Sequence, residues 1–282
     1  MKLMRVGPAG SETPVVLDEQ GRRRDVSSVT ADFDGSFFGS GGIDRLRRAD
    51  LASLPVLADD LRVGAPIARP GNVLCVGLNY IDHANESKMA IPAEPVLFNK
   101  APNSVVGPYD DVIMPRGSTK VDWEVELGVV IGSTCRYLAS PEQSLASIAG
   151  FVISNDVSER AFQLEGTGQW VKGKSCETFN PCGPWLVTPD ELDLGSGVDL
   201  TLDVNGLRRQ TGHTSDLIFD VPFLLHYISQ YLVLDPGDLV NTGTPPGVAM
   251  GMAQPAWLTA GDEMTLGITG LGEQRQRCVA SS

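Results

Sequence analysis

Apolar and polar positions alternate along much of this chain, most clearly in "KVDWEVELGVVIG", Lys120 to Gly132. A period of two marks a strand, whose side chains point to opposite faces in turn. Trp123, Val125, Leu127, Val129 and Ile131 then share one apolar face, and Asp122, Glu124 and Glu126 stack on the other. "NVLCVGLNY" and "PVLFNK" read as further strands. In "LTLDVNGLRRQ" the Asn205-Gly206 pair suits a type I′ turn and predicts a hairpin. "VVLDEQGRRRDVSSV" reads as a short hairpin with Gly21 near its turn.

Helical signals are fewer. "SPEQSLASIAG" offers Ser140 as N-cap and Pro141 at the first helical position. "DVPFLLHYISQYL" offers Asp220 as N-cap and a broad apolar surface, so it is expected in the core, with His226 a satisfied core residue. "DRLRRADLASL" is an Arg-rich helical patch. The glycine-rich "DGSFFGSGGID" before it reads as a flexible connection, since "GSGG" lacks the strand and lysine that frame a phosphate loop. "ARPG", residues 68–71, is the expected boundary between a small N-terminal domain, 1–70, and a larger domain, 71–282. "DPGD" at 235–238 and "GTPPG" at 243–247 read as turns or loops. Strands outnumber helices without a regular βαβ alternation, so the expected class is α+β, strand-rich and mixed.

Composition narrows the function classes. A net charge of -13 argues against nucleic acid or an anionic membrane surface as partner, and an anionic substrate would need local positive groups or a bound cation. No apolar run approaches the roughly 18 to 20 residues of a membrane span, and "MKLMRVGPAG" lacks a signal peptide's apolar core. Five cysteines, odd in number and without CxxC spacing, argue against a disulfide framework or a thiolate zinc site, so a cytoplasmic location is expected.

Taken alone, the acidic face of Lys120–Gly132 has two readings: a face turned to water, or a pair of carboxylates converging on a cation. Same-face neighbours on a strand lie roughly 7 Å apart, close enough to share an ion. Oxygen-only donors favour Mg²⁺, Mn²⁺ or Ca²⁺ over zinc. In "GFVISNDVSERAF" an apolar strand ends at Asn155-Asp156, which is either an Asx turn or a third carboxylate at a strand tip. If "VGLNYIDHANES" turns helical after Tyr80, His83 and Glu86 share a face. A carboxylate beside an imidazole fixes its tautomer and suits a general base; a surface pair of no consequence is the plain alternative. Lys100 in "VLFNKAP" and Lys174 in "QWVKGKSCETF" could each present a positive charge to an anion, or simply face water. "NTGTPPGVAMG" supplies backbone N–H groups and the Thr244 hydroxyl in a tight loop, as a carboxylate-binding nest would, or is a plain turn.

Together and in order, "VGLNYIDHANE", "PVLFNKAPNSVVGP", "DWEVELGVVIG", "FVISNDVSERAFQ", "KGKSCETFNPCGPWLV" and "NTGTPPGVAMG" resemble the fumarylacetoacetate hydrolase family over roughly residues 72 to 275. The resemblance implies a mixed β-roll catalytic domain behind a small N-terminal domain, and a homodimer. It places divalent-metal ligands at Glu124, Glu126 and Asp156, with Mg²⁺ expected and Mn²⁺ or Ca²⁺ alternatives. It places a catalytic His–Glu pair at His83 and Glu86, an active-site lysine at Lys174, and substrate contacts at Thr244, Lys100 and Arg160. Asn241 departs from the serine that relatives carry before "TGTP", and Asp122 is left out of the metal set with a structural role expected. The implied activity is metal-dependent C–C cleavage of a small anionic 2,4-dioxo acid, an acylpyruvate or a 2,4-diketo-3-deoxy sugar acid. Oxaloacetate-type decarboxylation, isomerisation of a 2-hydroxyhepta-2,4-diene-1,7-dioate and ureidoglycolate lysis are alternatives on the same site. A cation-stabilised binding protein without turnover and a two-carboxylate glycosidase are readings of other kinds.

Overall fold

The computed structural model describes residues 1–86 and 90–281. Its main sheet has twelve strands, of which ten follow one path. From one edge these are Val56–Leu57, Arg23–Asp25, Thr13–Leu17, Lys2–Val6 and Asn180–Val187, then Ile148–Asn155, Val125–Ile131, Leu239–Asn241, Val73–Gly77 and Val96–Lys100. Neighbours on this path are mostly antiparallel, but Leu239–Asn241 runs parallel to Val73–Gly77, so the sheet is mixed. A second sheet of five strands comprises Leu207–His213, Asp199–Val204, Glu263–Ile268, Gly272–Ala280 and Val112–Met114. The fold is therefore strand-rich α+β, as the patterning predicts.

Val125–Ile131 lies inside the main sheet and is buried along its whole length. Val125, Leu127, Val129 and Ile131 join a core with Leu200, Leu202, Met264 and Leu266 of the second sheet and Val221, Leu225 and Ile228 of the helix Val221–Ser229. Val130, on the opposite face, packs with Leu3, Phe33, Phe37 and Leu186 in a second core. The face that alternation alone would turn to water is thus buried, and Glu124 and Glu126 go inside with it. The second core also crosses residue 70, because it holds Leu3, Val16 and Phe33 together with Val73, Cys75 and Leu239.

The single strand expected from Lys120 to Gly132 is split. Val121–Asp122 pairs with Ser158–Glu159 in a separate two-stranded ribbon. The ladder then breaks, because side chains take over its donors: Trp123 N donates to Asp122 Oδ1 (2.9 Å) and Glu124 N to Asn155 Oδ1 (3.2 Å). Asp122 lies outside the group that the other two acids form with Asp156.

Local signals fare unevenly. Asn205 and Gly206 both take positive φ, 52° and 74°, as a type I′ turn requires. Asp220 caps its helix by accepting from Phe223 N (2.9 Å). The helix at Ser140 is one turn, Pro141–Ser144, followed by a 3₁₀ turn to Ser147, and the apolar "IAG" begins the next strand. His226 is half-buried on its helix, not enclosed in the core. The "DGSFFGSGGID" connection is ordered: Asp34 accepts from Phe37 N (2.8 Å) and caps the helix Gly35–Gly39, which buries Phe37 and Phe38. Gly35 is required there, since a Cβ would sit 2.5 Å from Pro236 O. The Arg-rich patch forms the helix Gly42–Arg48, as expected. Among the described residues no helix is long and apolar enough to cross a membrane.

Candidate active site

The two acids at the head of the Val125–Ile131 strand meet the strand next to it. Val125 pairs with Asn155, and Asp156, one residue beyond that strand's end, donates its N–H to Glu124 O (2.9 Å). One oxygen each of Glu124, Glu126 and Asp156 then lies within 4.8 Å of the other two, all three side chains buried. Full charges at that spacing repel by at least about 3 kcal/mol at an effective dielectric of about 20.

Cations offset part of this repulsion. Lys174 Nζ donates to Glu124 Oε2 (2.8 Å) and Asp156 Oδ2 (2.9 Å). Lys100 Nζ donates to Asp156 Oδ1 (2.5 Å) and Val157 O (3.0 Å). Arg160 donates through Nη2 to Glu124 Oε1 (2.6 Å), through Nε to Asp122 Oδ2 (2.8 Å) and through Nη1 to Gln163 Oε1 (3.0 Å). Four buried carboxylates therefore face three buried cations, and one negative charge is left over.

That excess falls on Glu126, whose Oε2 accepts from Gly243 N (2.8 Å). Burial, then the charges of Asp156 and Glu124, push its carboxyl well above the ordinary range. Burial works against the ionised form of Glu124 too, but Lys174 and Arg160 outweigh it and hold that carboxyl low. Lys174 is also buried, yet Asp156 and Glu124 raise its pKa and keep it charged. Three buried carboxylates with a surplus negative charge fit a hard divalent cation, which takes oxygen donors.

His83 and Glu86 come together on the short helix Ile81–Glu86, with Nδ1 2.9 Å from Glu86 Oε1. A carboxylate accepts only, so Nδ1 carries a proton; in the neutral imidazole Nε2 is then the nitrogen with the lone pair. Both oxygens of Glu86 accept from Gly247 N (3.0 and 2.9 Å). His83, Glu124, Glu126, Arg160, Lys174 and Thr244 all line one cleft open to solvent. Thr244 donates to Val125 O (2.9 Å) and accepts from Gln210 Nε2 (2.7 Å).

Two sequence expectations need correction. Lys100 does not line the cleft: its side chain is fully buried behind Asp156, so it is placed to hold that carboxylate and not to meet a substrate. The "NTGTPPGVAMG" loop does act as a carboxylate nest, but its occupants are the protein's own acids. Gly243 N takes Glu126, Gly247 N takes Glu86, and Ala249 N and Met250 N take Asp122. Gly243 can turn its N–H inward because its φ is +103°, where a Cβ would meet Asn79 Cβ at 2.8 Å.

Several residues of the site escape sequence reasoning. Phe98 and Trp170 form a cleft wall, rings 5.2 Å apart and edge-on, with Lys174 Nζ 4.9 Å above the Phe98 ring. Gln163 and Gln210 buttress Arg160 and Thr244. Only their nearness to the site marks them, and no spacing in the chain carries that.

The chain resembles solved structures over its whole length. Fumarylacetoacetate hydrolase from the psychrophilic Exiguobacterium antarcticum is 37% identical with a TM-score of 0.89, covering 100% of both chains. 5-Carboxymethyl-2-hydroxymuconate delta-isomerase from Mycobacterium smegmatis is 30% identical with a TM-score of 0.77, again covering 100% of both. Maleylpyruvate hydrolase from Sphingobium sp. SYK-6, solved with manganese(II) and pyruvate, is 25% identical with a TM-score of 0.81 and the same full coverage. The profile described as fumarylacetoacetate (FAA) hydrolase C-terminal matches residues 72–279. With Glu124, Glu126 and His83 in one cleft, the chain belongs to the fumarylacetoacetate hydrolase family.

Proposed function

We propose that this protein is a divalent-metal-dependent hydrolase cleaving a C–C bond of a 2,4-dioxo acid, releasing pyruvate or a related 2-oxo acid. The observation that carries the reading is a cleft lined by Glu124, Glu126 and the carboxylate-oriented His83, with Asp156 completing the trio of convergent buried acids. Manganese and pyruvate in the Sphingobium relative support both the class of ion and the class of product. Glu124, Glu126 and Asp156 would hold the ion. When bound, it would supply Lewis acidity to the carboxylate and 2-oxo oxygens of a dioxo acid and to the enolate that cleavage creates.

The remaining steps belong to the chain's own side chains. His83 Nε2 takes a proton from water, and the hydroxide attacks the distal carbonyl carbon. Collapse of that adduct breaks the bond to the central carbon, giving one carboxylic acid and a pyruvate-type enolate. His83 can then return the proton to the enolate carbon. Glu86, fixed by Gly247 N, keeps the imidazole in the required tautomer throughout. Lys174 and Arg160 supply positive charge to the floor, where negative charge gathers on oxygen.

The test is pyruvate release from an acylpyruvate by protein stripped of metal and then reloaded with Mg²⁺ or Mn²⁺. Release is expected with metal only, and His83→Ala is expected to lower kcat by about 10²- to 10⁴-fold. Failure to turn over acylpyruvates, maleylpyruvate and diketo sugar acids with either ion would remove the hydrolase reading. The similarity to a delta-isomerase favours a second reading, proton transfer through the same enolate without cleavage. Turnover in ¹⁸O-water separates them, because the hydrolase alone places the label in the released acid.

A further inference from the structure

Asp122 takes no part in the chemistry proposed above, yet few side chains in the fold are so fully engaged. It is completely buried, and its two oxygens accept four hydrogen bonds. Trp123 N (2.9 Å) and Ala249 N (2.7 Å) donate to Oδ1; Arg160 Nε (2.8 Å) and Met250 N (3.1 Å) donate to Oδ2. The Trp123 bond is local. The other three tie it to two structures that meet the cleft from different parts of the chain.

One runs through Arg160. Its Nη2 grips Glu124 (2.6 Å) while its Nε is held by Asp122 (2.8 Å), so the guanidinium is a rigid bridge between the two carboxylates. The other runs through the loop at 247–251. Asp122 fixes Ala249 and Met250; two residues earlier, Gly247 N fixes both oxygens of Glu86, and Glu86 fixes His83. The loop is packed hard against that glutamate, since a Cβ on Gly251 would lie 2.7 Å from Glu86 Cδ.

We infer that Asp122 is a positioning residue that sets the general base and the acidic floor in register, acting on His83 through loop 247–251 and Glu86, and on Glu124 through Arg160. It touches no reacting atom. Its position explains why an acid is used where any buried acceptor would satisfy two backbone amides: charge is needed to hold Arg160, and a second oxygen is needed to hold the loop at the same time. The catalytic consequence rests on the reading of His83 as base; the mechanical one does not.

The experiment is Asp122→Asn, which keeps shape and one acceptor but removes the charge and puts a donor against Arg160 Nε and Met250 N or, with the amide turned over, against Trp123 N and Ala249 N. Hydrogen exchange needs no substrate: amides of 247–252 and, remote in sequence, of 81–86 are expected to exchange faster by about tenfold or more. Mn²⁺ affinity of the stripped protein is expected to fall about tenfold as Arg160 leans wholly on Glu124. In turnover, kcat should drop about tenfold or more with KM within about threefold, and adding the change to Glu86→Gln should cost less than about twofold more. Unchanged exchange in 81–86, or effects that multiply in the double variant, would overturn the inference. If no dioxo acid is turned over at all, the exchange and Mn²⁺ measurements still decide it. Should Asp122→Asn fail to fold, Asp122→Glu retains the charge on Arg160 but displaces the loop. It is expected to loosen 81–86 while sparing Mn²⁺ affinity, and the reverse pattern would refute the loop route.

Discussion

Glu126 lies in a buried floor with Glu124 and Asp156, and burial, then those two charges, push its carboxyl well above its ordinary 4.5. A raised carboxyl pKa means the folded chain binds this proton more tightly than the unfolded chain does. The stabilisation it gives is fully present below about pH 4.5 and is lost as pH rises through the folded value. Without metal, the wild-type protein should therefore melt below Glu126→Gln at neutral pH, with the gap closing towards pH 4.5. Glutamine keeps an acceptor for Gly243 N, so the comparison isolates the charge. Metal binding should reverse the order, because the ion needs the carboxylate and expels its proton. Titration of Mn²⁺ in buffers of different ionisation heat should show proton release for the wild type, and the variant should bind more than about tenfold more weakly. Equal heats in all buffers would mean that Glu126 is already ionised. The three acids were legible in the chain as spacing, DxExE followed by a strand-tip Asp. The opposite shifts of Glu124 and Glu126 were not, because they depend on Lys174 and Arg160 arriving from the short helices Val171–Lys174 and Arg160–Leu164.

Elements built on short-range chemistry were legible where the deciding contacts lie within a few residues. Asn205-Gly206 and the Asp220 cap are of this kind. The glycine-rich run at 34–43 was not, because glycine content suggests freedom while its order comes from Phe37 and Phe38 reaching a distant core. The one-turn helix at Pro141 and the broken strand at Trp123 fail for a related reason: sheet partners and side-chain acceptors, absent from the local pattern, decide where each element stops. If the Gly35–Gly39 helix is a packed element, its cap and its close approach should both matter. Asp34→Ala is expected to cost about 1 kcal/mol of stability through the lost bond to Phe37 N. Gly35→Ala should cost more, since Pro236 O, a backbone atom, stands 2.5 Å from the new methyl. Chemical denaturation of both variants checks the ranking. A freely moving connection would give two changes within about 0.5 kcal/mol of wild type.

Across the whole molecule, the N-terminal strands and the strands that carry the site share one sheet and one core. Lys2 and Leu3 pair with Val187 and Leu186, the chain's amino terminus bonds Thr188 and Glu191, and Phe33, Phe37 and Leu46 pack with Val130, Val152 and Leu239. Asn180–Val187 touches the floor through its inner neighbour, Ile148–Asn155, which leads directly into Asp156. The "ARPG" boundary marks a change of pattern along the sequence, and patterns along a chain do not record which strands later become neighbours. This arrangement predicts one cooperative unfolding transition for residues 1–282, with the same midpoint by tryptophan fluorescence and by far-ultraviolet circular dichroism. A chain beginning at residue 71 would bare an unpaired edge at Asn180–Val187 and the apolar surface under Phe33 and Phe37, and is expected to aggregate or melt well below the full chain. Its Mn²⁺ affinity should fall with its stability, because Asp156 is held by the strand next to that bared edge. Two separable transitions in the full chain, or a truncated chain that keeps both its melting point and its metal affinity, would instead make the first 70 residues an independent unit.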